Sequence, residues 1–138
     1  MRLSTRGEYG VRTMVELATA YGTGPVSLGR IADSENLSLA YLEQLIAVLR
    51  REGLVESVRG AHGGYQLAMA PEKISVGDIV RALEGPIAPV DCVAEGKEGR
   101  CGRETVCATR SVWVSVRDRI AETLDSVTLA DLKQQSCS

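Results

Sequence analysis

Residues 38–68 constrain this chain more than any other stretch. Ser38 precedes Leu42, Leu45, Ile46 and Leu49, which recur at steps of three, one and three residues and line one face of a helix opened by a serine cap. Gly53 is placed to close that helix in the left-handed conformation. The opposite face carries Ala40, Tyr41, Glu43, Gln44, Ala47, Arg50 and Arg51, a mixture of small, amide and charged groups suited to base edges and phosphates. A helix of that kind fits the roughly 12 Å wide major groove of DNA. Leu54–Val58 then reads as a short strand, and Tyr65–Ala68 can return beside it as an antiparallel partner. Between them lies the tip Arg59-Gly-Ala-His-Gly-Gly64, whose Gly60, Gly63 and Gly64 let the backbone turn and approach a duplex closely, and whose His62 can reach a phosphate. The competing reading is a structural helix followed by a surface hairpin with no ligand.

The upstream chain supplies the rest of such a unit. Thr5-Arg-Gly-Glu8 has the form of a capping box, and Val11, Met14, Val15, Ala18 and Tyr21 follow at helical spacing, which places a first helix over about 6–21. Gly22-Thr-Gly-Pro25 breaks it, Ser27 caps a second short helix over about 28–33, and Glu35-Asn36-Leu37 turns into the third. Helix, turn, helix, strand and wing is the order of a winged helix-turn-helix.

Charge complicates that reading. Residues 1–66 hold seven Arg and Lys against seven Asp and Glu, and the whole chain has a formal net charge of −2, so DNA binding must rest on where individual arginines stand. The hydrophobic fraction of 44% suffices for a real core in 138 residues. No apolar run approaches the roughly 20 residues of a membrane span, and the opening Met-Arg-Leu-Ser-Thr-Arg lacks the apolar centre of a signal peptide, so a cytoplasmic protein without a membrane partner is expected.

Beyond Pro71, Ser75-Val-Gly-Asp78 is a second capping box, opening a helix that stops at Gly85. Residues 86–100 are rich in Pro, Gly and mixed charge and read as a long loop. Val112, Val116, Ile120 and Leu124 then lie four apart on one face of a helix that wants a partner, either the same helix of a second copy or the first helix of its own chain. Residues 127–138 read as a short apolar turn and a polar tail. Cys92, Cys101 and Cys107 are separated by eight and five residues in and after the loop, with Arg100, Arg103 and Arg110 nearby to stabilise thiolates. Thiol-rich ligation suits an iron-sulfur cluster or zinc; thiol-disulfide sensing, or no function at all, are the other readings. Cys137, in the tail, is expected to be dispensable.

Several of these stretches together resemble the iron-sulfur cluster regulator family, the IscR-type or Rrf-two regulators. They are Met1-Arg-Leu-Ser-Thr-Arg-Gly-Glu-Tyr-Gly, Ser38-Leu-Ala-Tyr-Leu-Glu-Gln-Leu, Gly53-Leu-Val-Glu-Ser-Val-Arg-Gly with Gly63-Gly-Tyr, the Ser75 helix, and three cysteines before a Trp-containing helix. The resemblance covers nearly the whole chain. It implies a homodimeric winged-helix transcription factor, with a cluster held near the dimer interface by three loop cysteines and a fourth ligand. In the best-known member that ligand is a histidine three residues after the third cysteine, where this chain has Arg110; other members use an acidic residue near the start of the first helix, which here is Glu8. The resemblance also makes Ser38 and Tyr41 phosphate or groove contacts, Glu43 and Gln44 base-facing, and Arg59 a minor-groove contact from the wing.

The expected fold is therefore mainly α with a small β wing. Residues 1–85 form a winged helix-turn-helix DNA-binding domain, 86–107 a cysteine-bearing cluster loop, and 108–138 a dimerisation helix and tail. The expected function is a homodimeric, non-enzymatic transcription regulator of a near-palindromic DNA operator. It senses iron-sulfur or redox status through a cluster, [2Fe-2S] or alternatively [4Fe-4S], on Cys92, Cys101, Cys107 and Glu8. The DNA contacts are Ser38, Ala40, Tyr41, Glu43, Gln44, Arg50, Arg59, Gly60 and His62. The alternative is a cluster-free or zinc-stabilised winged-helix regulator that responds through thiol chemistry or a partner protein.

Overall fold

The computed structural model describes residues 4–88 and 108–136, the last three as backbone only. Three helices come first: α1 (Thr5–Thr19), α2 (Leu28–Glu35) and α3 (Leu39–Arg51). A hairpin of β1 (Val55–Val58) and β2 (Gly64–Leu67) follows, then a single 3-10 turn over Pro71–Lys73 and α4 (Val76–Glu84). The chain ends in α5 (Arg110–Ser126) and α6 (Leu129–Ser136). The two strands pair antiparallel with Val55 opposite Leu67 and Val58 opposite Gly64. Val26 adds one bridge to Tyr65, its N–H donating to the Tyr65 carbonyl at 2.8 Å, so the turn after α1 is stitched to the base of the wing.

The helix boundaries follow local chemistry. Ser27 Oγ accepts from Arg30 N–H at 3.3 Å and Ser38 Oγ from Tyr41 N–H at 3.1 Å, capping α2 and α3. Asn36 closes α2 in the left-handed conformation, and Gly53, with φ of 82°, lets the chain leave α3. Ser75 and Asp78 form the expected reciprocal capping box on α4, with bonds of 3.0 Å each way.

Two expectations about helix ends fail. Thr5 and Glu8 do not make a capping box: Thr5 is already the first helical residue, and Ser4 stands at the cap without a side-chain cap bond of its own. The free amides at the start of α1 are met from outside. Ser4 N–H and Gly7 N–H donate to the Glu84 carboxylate at 3.4 and 3.1 Å, and Ser4 Oγ–H donates to it as well. A carboxylate from the last residue of α4 thus does what the sequence pattern assigned to Glu8. The second failure lies at the C-terminus, where residues 129–136 form a helix rather than a polar tail. Thr128-Leu-Ala-Asp131 is itself a capping box, with Thr128 N–H donating to Asp131 at 3.0 Å and Asp131 N–H to Thr128 Oγ1 at 3.3 Å.

One core joins these elements. Met14 and Leu17 of α1, Ile31 of α2, Leu42, Leu45, Ile46 and Leu49 of α3, and Ile79 of α4 are all essentially inaccessible, together with Ile74 and Leu129. The apolar stripe of α3 is thus the face that faces inward, and Leu129 carries the C-terminal segment back into the same core. α5 differs: it has no buried residue, and its main packing on the rest of the described chain is against α4. Close packing of α1 on α4 depends on Gly10, where an added Cβ would lie 2.0 Å from Leu83 Cδ1.

Candidate nucleic-acid interface

With its apolar stripe buried, α3 presents a continuous outer face. Ala40, Glu43, Gln44, Ala47, Arg50 and Arg51 are all exposed, and Ser38 opens the same face. Ser38 Oγ is engaged in capping α3, which leaves its remaining lone pair and its own proton for a phosphate or base edge. Glu43 can accept from cytosine N4 and Gln44 can pair bidentately with adenine. Arg50 lies in the last turn of α3, where the helix dipole favours a cation, and no acidic side chain neutralises it among the described residues. Leu39 was not singled out from the sequence, yet it is 48% exposed in the first helical turn. Its side chain offers the kind of apolar surface that packs on a thymine methyl.

Tyr41 differs from its neighbours in being half-buried. Its ring meets Tyr9 of α1 edge to face, with centroids 6.4 Å apart at 90°, and the Arg12 guanidinium lies 5.5 Å from the centre of the Tyr9 ring. The stack holds Tyr41 in one orientation and ties the start of α3 to α1. Arg12 in turn pairs with Glu35 at 2.9 Å, and Ser34 Oγ donates to Glu16 at 2.6 Å, so α1 and α2 are fastened by polar as well as apolar contacts. Burial and a hydrogen bond with Glu16 push the Glu35 carboxyl up, against the pull of Arg12. These residues also line a cavity of about 800 Å³ with Val11, Val15 and Leu132. Its two acidic groups are already partnered by one another, Arg12 and Ser34.

The wing is built to carry its tip outward. Residues 59–62 are exposed, and the Gly63 N–H donates to the Gly60 carbonyl at 3.0 Å to close the turn. Gly60 has φ of 114°, and a Cβ at Gly63 would lie 2.1 Å from the Val58 carbonyl oxygen, so a tip this tight needs glycine at both places. Arg59 and His62 stand on that tip, and Arg59 has no ion-pair partner among the described residues. The hairpin below is braced by Gln66 Nε2 donating to Glu56 at 2.7 Å across the ladder. The candidate DNA residues therefore fall on two neighbouring exposed elements, the outer face of α3 and the wing tip, although the sequence scatters them over residues 38–62.

The candidate metal ligands are less fully placed. Cys92, Cys101 and Cys107 lie outside the described residues, as does Cys137. The Glu8 side chain is exposed on the first turn of α1, with no hydrogen bond or ion pair among the described residues, because Glu84 has taken over the cap. Arg110 is half-buried at the start of α5, and its guanidinium offers no lone pair to a metal. Among the described residues no group of three or more His, Cys, Asp or Glu side chains is arranged to hold a metal ion. No described helix is long and apolar enough to cross a membrane.

Comparison with known proteins matches this architecture throughout. The Rrf2 family, described as an iron-dependent transcriptional regulator, matches residues 3–135. The HTH-type transcriptional regulator CymR of Bacillus subtilis is 51% identical over 132 residues, which are 96% of this chain and 89% of that protein. The solved structure of CymR, the global cysteine regulator of B. subtilis, superimposes with a TM-score of 0.82 at 49% identity, covering 98% of both chains. T. potens IscR superimposes with a TM-score of 0.80 at 49% identity, covering 99% of this chain and 88% of that one.

Proposed function

The chain belongs to the Rrf2 family of DNA-binding transcriptional regulators, not enzymes, and from that premise we propose that it is a cytoplasmic homodimer. The dimer reads a near-palindromic operator and answers to iron-sulfur or redox status through a bound cluster. α3 enters the major groove and the wing tip follows the adjacent groove. Glu43 and Gln44 face base edges, Ala40 lets the helix approach, and Ser38, Tyr41, Arg50, Arg59, Gly60 and His62 meet phosphate, sugar or groove wall. α5, which buries none of its residues in a single copy, supplies the surface for the second copy, with Val112 54% exposed. Two copies related by a two-fold axis match an operator with two-fold symmetry.

The observation that carries the cluster reading is the free carboxylate of Glu8. Three thiolates, Cys92, Cys101 and Cys107, leave one ligand position open. Arg110 cannot fill it, and His62 sits on the wing tip, with the DNA-contacting residues. Relieved of capping by Glu84, Glu8 presents an anionic oxygen donor that no cap bond of α1 depends on. A cluster held by these four residues would supply a centre that is lost or altered when iron is scarce or oxidants are present. [2Fe-2S] is the expected form and [4Fe-4S] the alternative. The protein's own contribution is to hold the carboxylate on α1, the helix whose Tyr9 packs against Tyr41 of α3, so a cluster held there would be tied to the element next to the recognition helix.

A second reading is favoured by the likeness to CymR, a cysteine regulator: the same fold responding without a cluster, through thiol chemistry or a partner protein. Anaerobic purification followed by an ultraviolet-visible spectrum and iron, sulfide and zinc analysis separates the two. Visible absorption with iron and sulfide, reduced or shifted in Glu8→Ala and retained in Cys137→Ser, supports the cluster reading. A colourless protein free of iron and sulfide supports the other.

A further inference from the structure

α4 touches both the helix that reads DNA, α3, and the helix assigned to the dimer, α5. At the C-terminal end of α5, Val76 N–H donates to the Val127 carbonyl at 2.8 Å and Leu129 N–H donates to the Ile74 carbonyl at 2.9 Å, around an antiparallel bridge between Ser75 and Thr128. Arg81, in the middle of α4, then grips Asp125 with both terminal nitrogens: Nη1 to Oδ1 at 2.7 Å and Nη2 to Oδ2 at 3.0 Å. Gly77, one turn before Arg81, lies beneath this pair. A Cβ there would stand 1.9 Å from Asp125 Oδ1 and 2.8 Å from Arg81 Nη1, so the ion pair rests directly on bare helix backbone.

Stability alone does not account for such an arrangement. The side chains of Arg81 and Asp125 are 31% and 45% exposed, and ion pairs that accessible contribute on the order of 0–1 kcal/mol. A two-pronged guanidinium–carboxylate contact does fix direction as well as distance. The hydrogen bond from Arg81 holds the Asp125 carboxyl below its ordinary value, which keeps it charged and the grip intact. Together with the backbone bonds at Val76 and Leu129, this makes the end of α5 and the start of α4 one rigid corner.

We propose that the Arg81–Asp125 clasp, seated on Gly77, is a positioning device for operator choice. It fixes the angle between α5 and α3 and so sets the half-site spacing that two copies can read together. The inference rests on the reading that α5 joins two copies. On a duplex, one base pair of extra spacing moves a half-site by about 3.4 Å and turns it by roughly 36°, more than side chains on a fixed helix can absorb. A rigid corner therefore confines the dimer to one spacing, and a loosened corner tolerates neighbours.

Selection of bound duplexes from a randomised pool by the full chain tests this, because sequencing reports the half-site sequence and the spacing separately. Light scattering after size exclusion gives the oligomeric state of each protein. The wild type should be a dimer that favours one spacing by about tenfold over those one base pair away. Asp125→Ala and Arg81→Met should remain dimers and select the same half-site sequence, with the spacing preference reduced to about twofold or less. Gly77→Ala, which displaces Asp125 without removing a charge, should behave likewise. Variants that keep the single spacing overturn the proposal, as do variants that lose half-site sequence and spacing in parallel. A monomeric wild type would remove the dimer reading beneath it, whereas a dimeric wild type with indifferent variants removes the clasp alone.

Discussion

Replacing Glu84 by alanine should destabilise this protein more than replacing Glu8, although Glu8 sits inside the first turn of α1 and Glu84 belongs to another helix. The Glu84 carboxylate takes the amides of Ser4 and Gly7, at 3.4 and 3.1 Å, and the Ser4 hydroxyl. Losing a helix cap costs about 0.5–2 kcal/mol, and a carboxylate at a helix start is worth about 0.3–1 kcal/mol through the dipole. The two ranges describe the same amides and overlap, and water can replace part of the lost bonding because Ser4 and Glu84 are exposed. An expected loss for Glu84→Ala is therefore about 1–1.5 kcal/mol, with Glu84→Gln between it and the wild type. Glu8→Ala loses the dipole interaction alone, about 0.5 kcal/mol or less. Urea unfolding of the metal-free protein, followed by circular dichroism at the helical minimum, measures both, and 1 kcal/mol corresponds to roughly 2–6 °C in Tm for a chain of this length. A loss for Glu8→Ala equal to or above that for Glu84→Ala would mean that the start of α1 is capped as the sequence pattern first implied.

Three further outcomes follow from particular side chains. Arg59→Ala should weaken DNA binding and lower the slope of log affinity against log salt by about 1, as loss of a phosphate contact does; an unchanged slope would take Arg59 out of the interface. Thr13 is fully buried on α1 with no partner for its hydroxyl among the described residues, so Thr13→Val, which keeps the shape, should raise stability by about 1 kcal/mol; a lower Tm would reveal an unseen partner. The Asp125 carboxyl is held low by the Arg81 hydrogen bond, so its contribution is present above the ordinary aspartate value, about 3.9, and fades as pH falls below it. The stability gap between wild type and Asp125→Asn should accordingly be constant from neutral to mildly acid pH and close at lower pH; a gap that widens on acidification would contradict the assignment.

Most of the winged-helix unit was legible because its signals are local. Ser27, Ser38 and Ser75 cap the helices they precede, and the stripe Leu42, Leu45, Ile46 and Leu49 marks the buried face of α3 from spacing alone. What sequence could not give was long-range. The carboxylate that caps α1 comes from Glu84, eighty residues after Ser4, and a local rule prefers the nearer Glu8. The Tyr9–Tyr41 contact and the Arg12 pairing behind it likewise join separate helices and leave no periodic trace. α6 is a different case, since Thr128-Leu-Ala-Asp131 carries the capping signature openly, but the continuation is short and polar and has no apolar period to mark a helix. Leu39 was hidden by its spacing, since it stands three residues before Leu42 and seven before Ile46 and so projects at the edge of the buried stripe, yet in the first turn of α3 it is exposed. The Arg81–Asp125 clasp combines both difficulties: two ordinary charged residues and a glycine become a corner only when α4 and α5 meet.

The most direct test of the DNA interface is the ratio of affinities of the full chain for a duplex selected from a random pool and for a scrambled duplex of equal length, at one fixed salt concentration. A chain of net charge −2 has little general attraction for nucleic acid, so the proposed interface on the outer face of α3 and the wing tip would have to supply tight binding through placed contacts. The expected preference is about 10³-fold or more for the selected duplex. Glu43→Ala should shrink that ratio more than it lowers affinity for the scrambled duplex. Equal affinity for the two duplexes in the wild type would contradict sequence reading by this face.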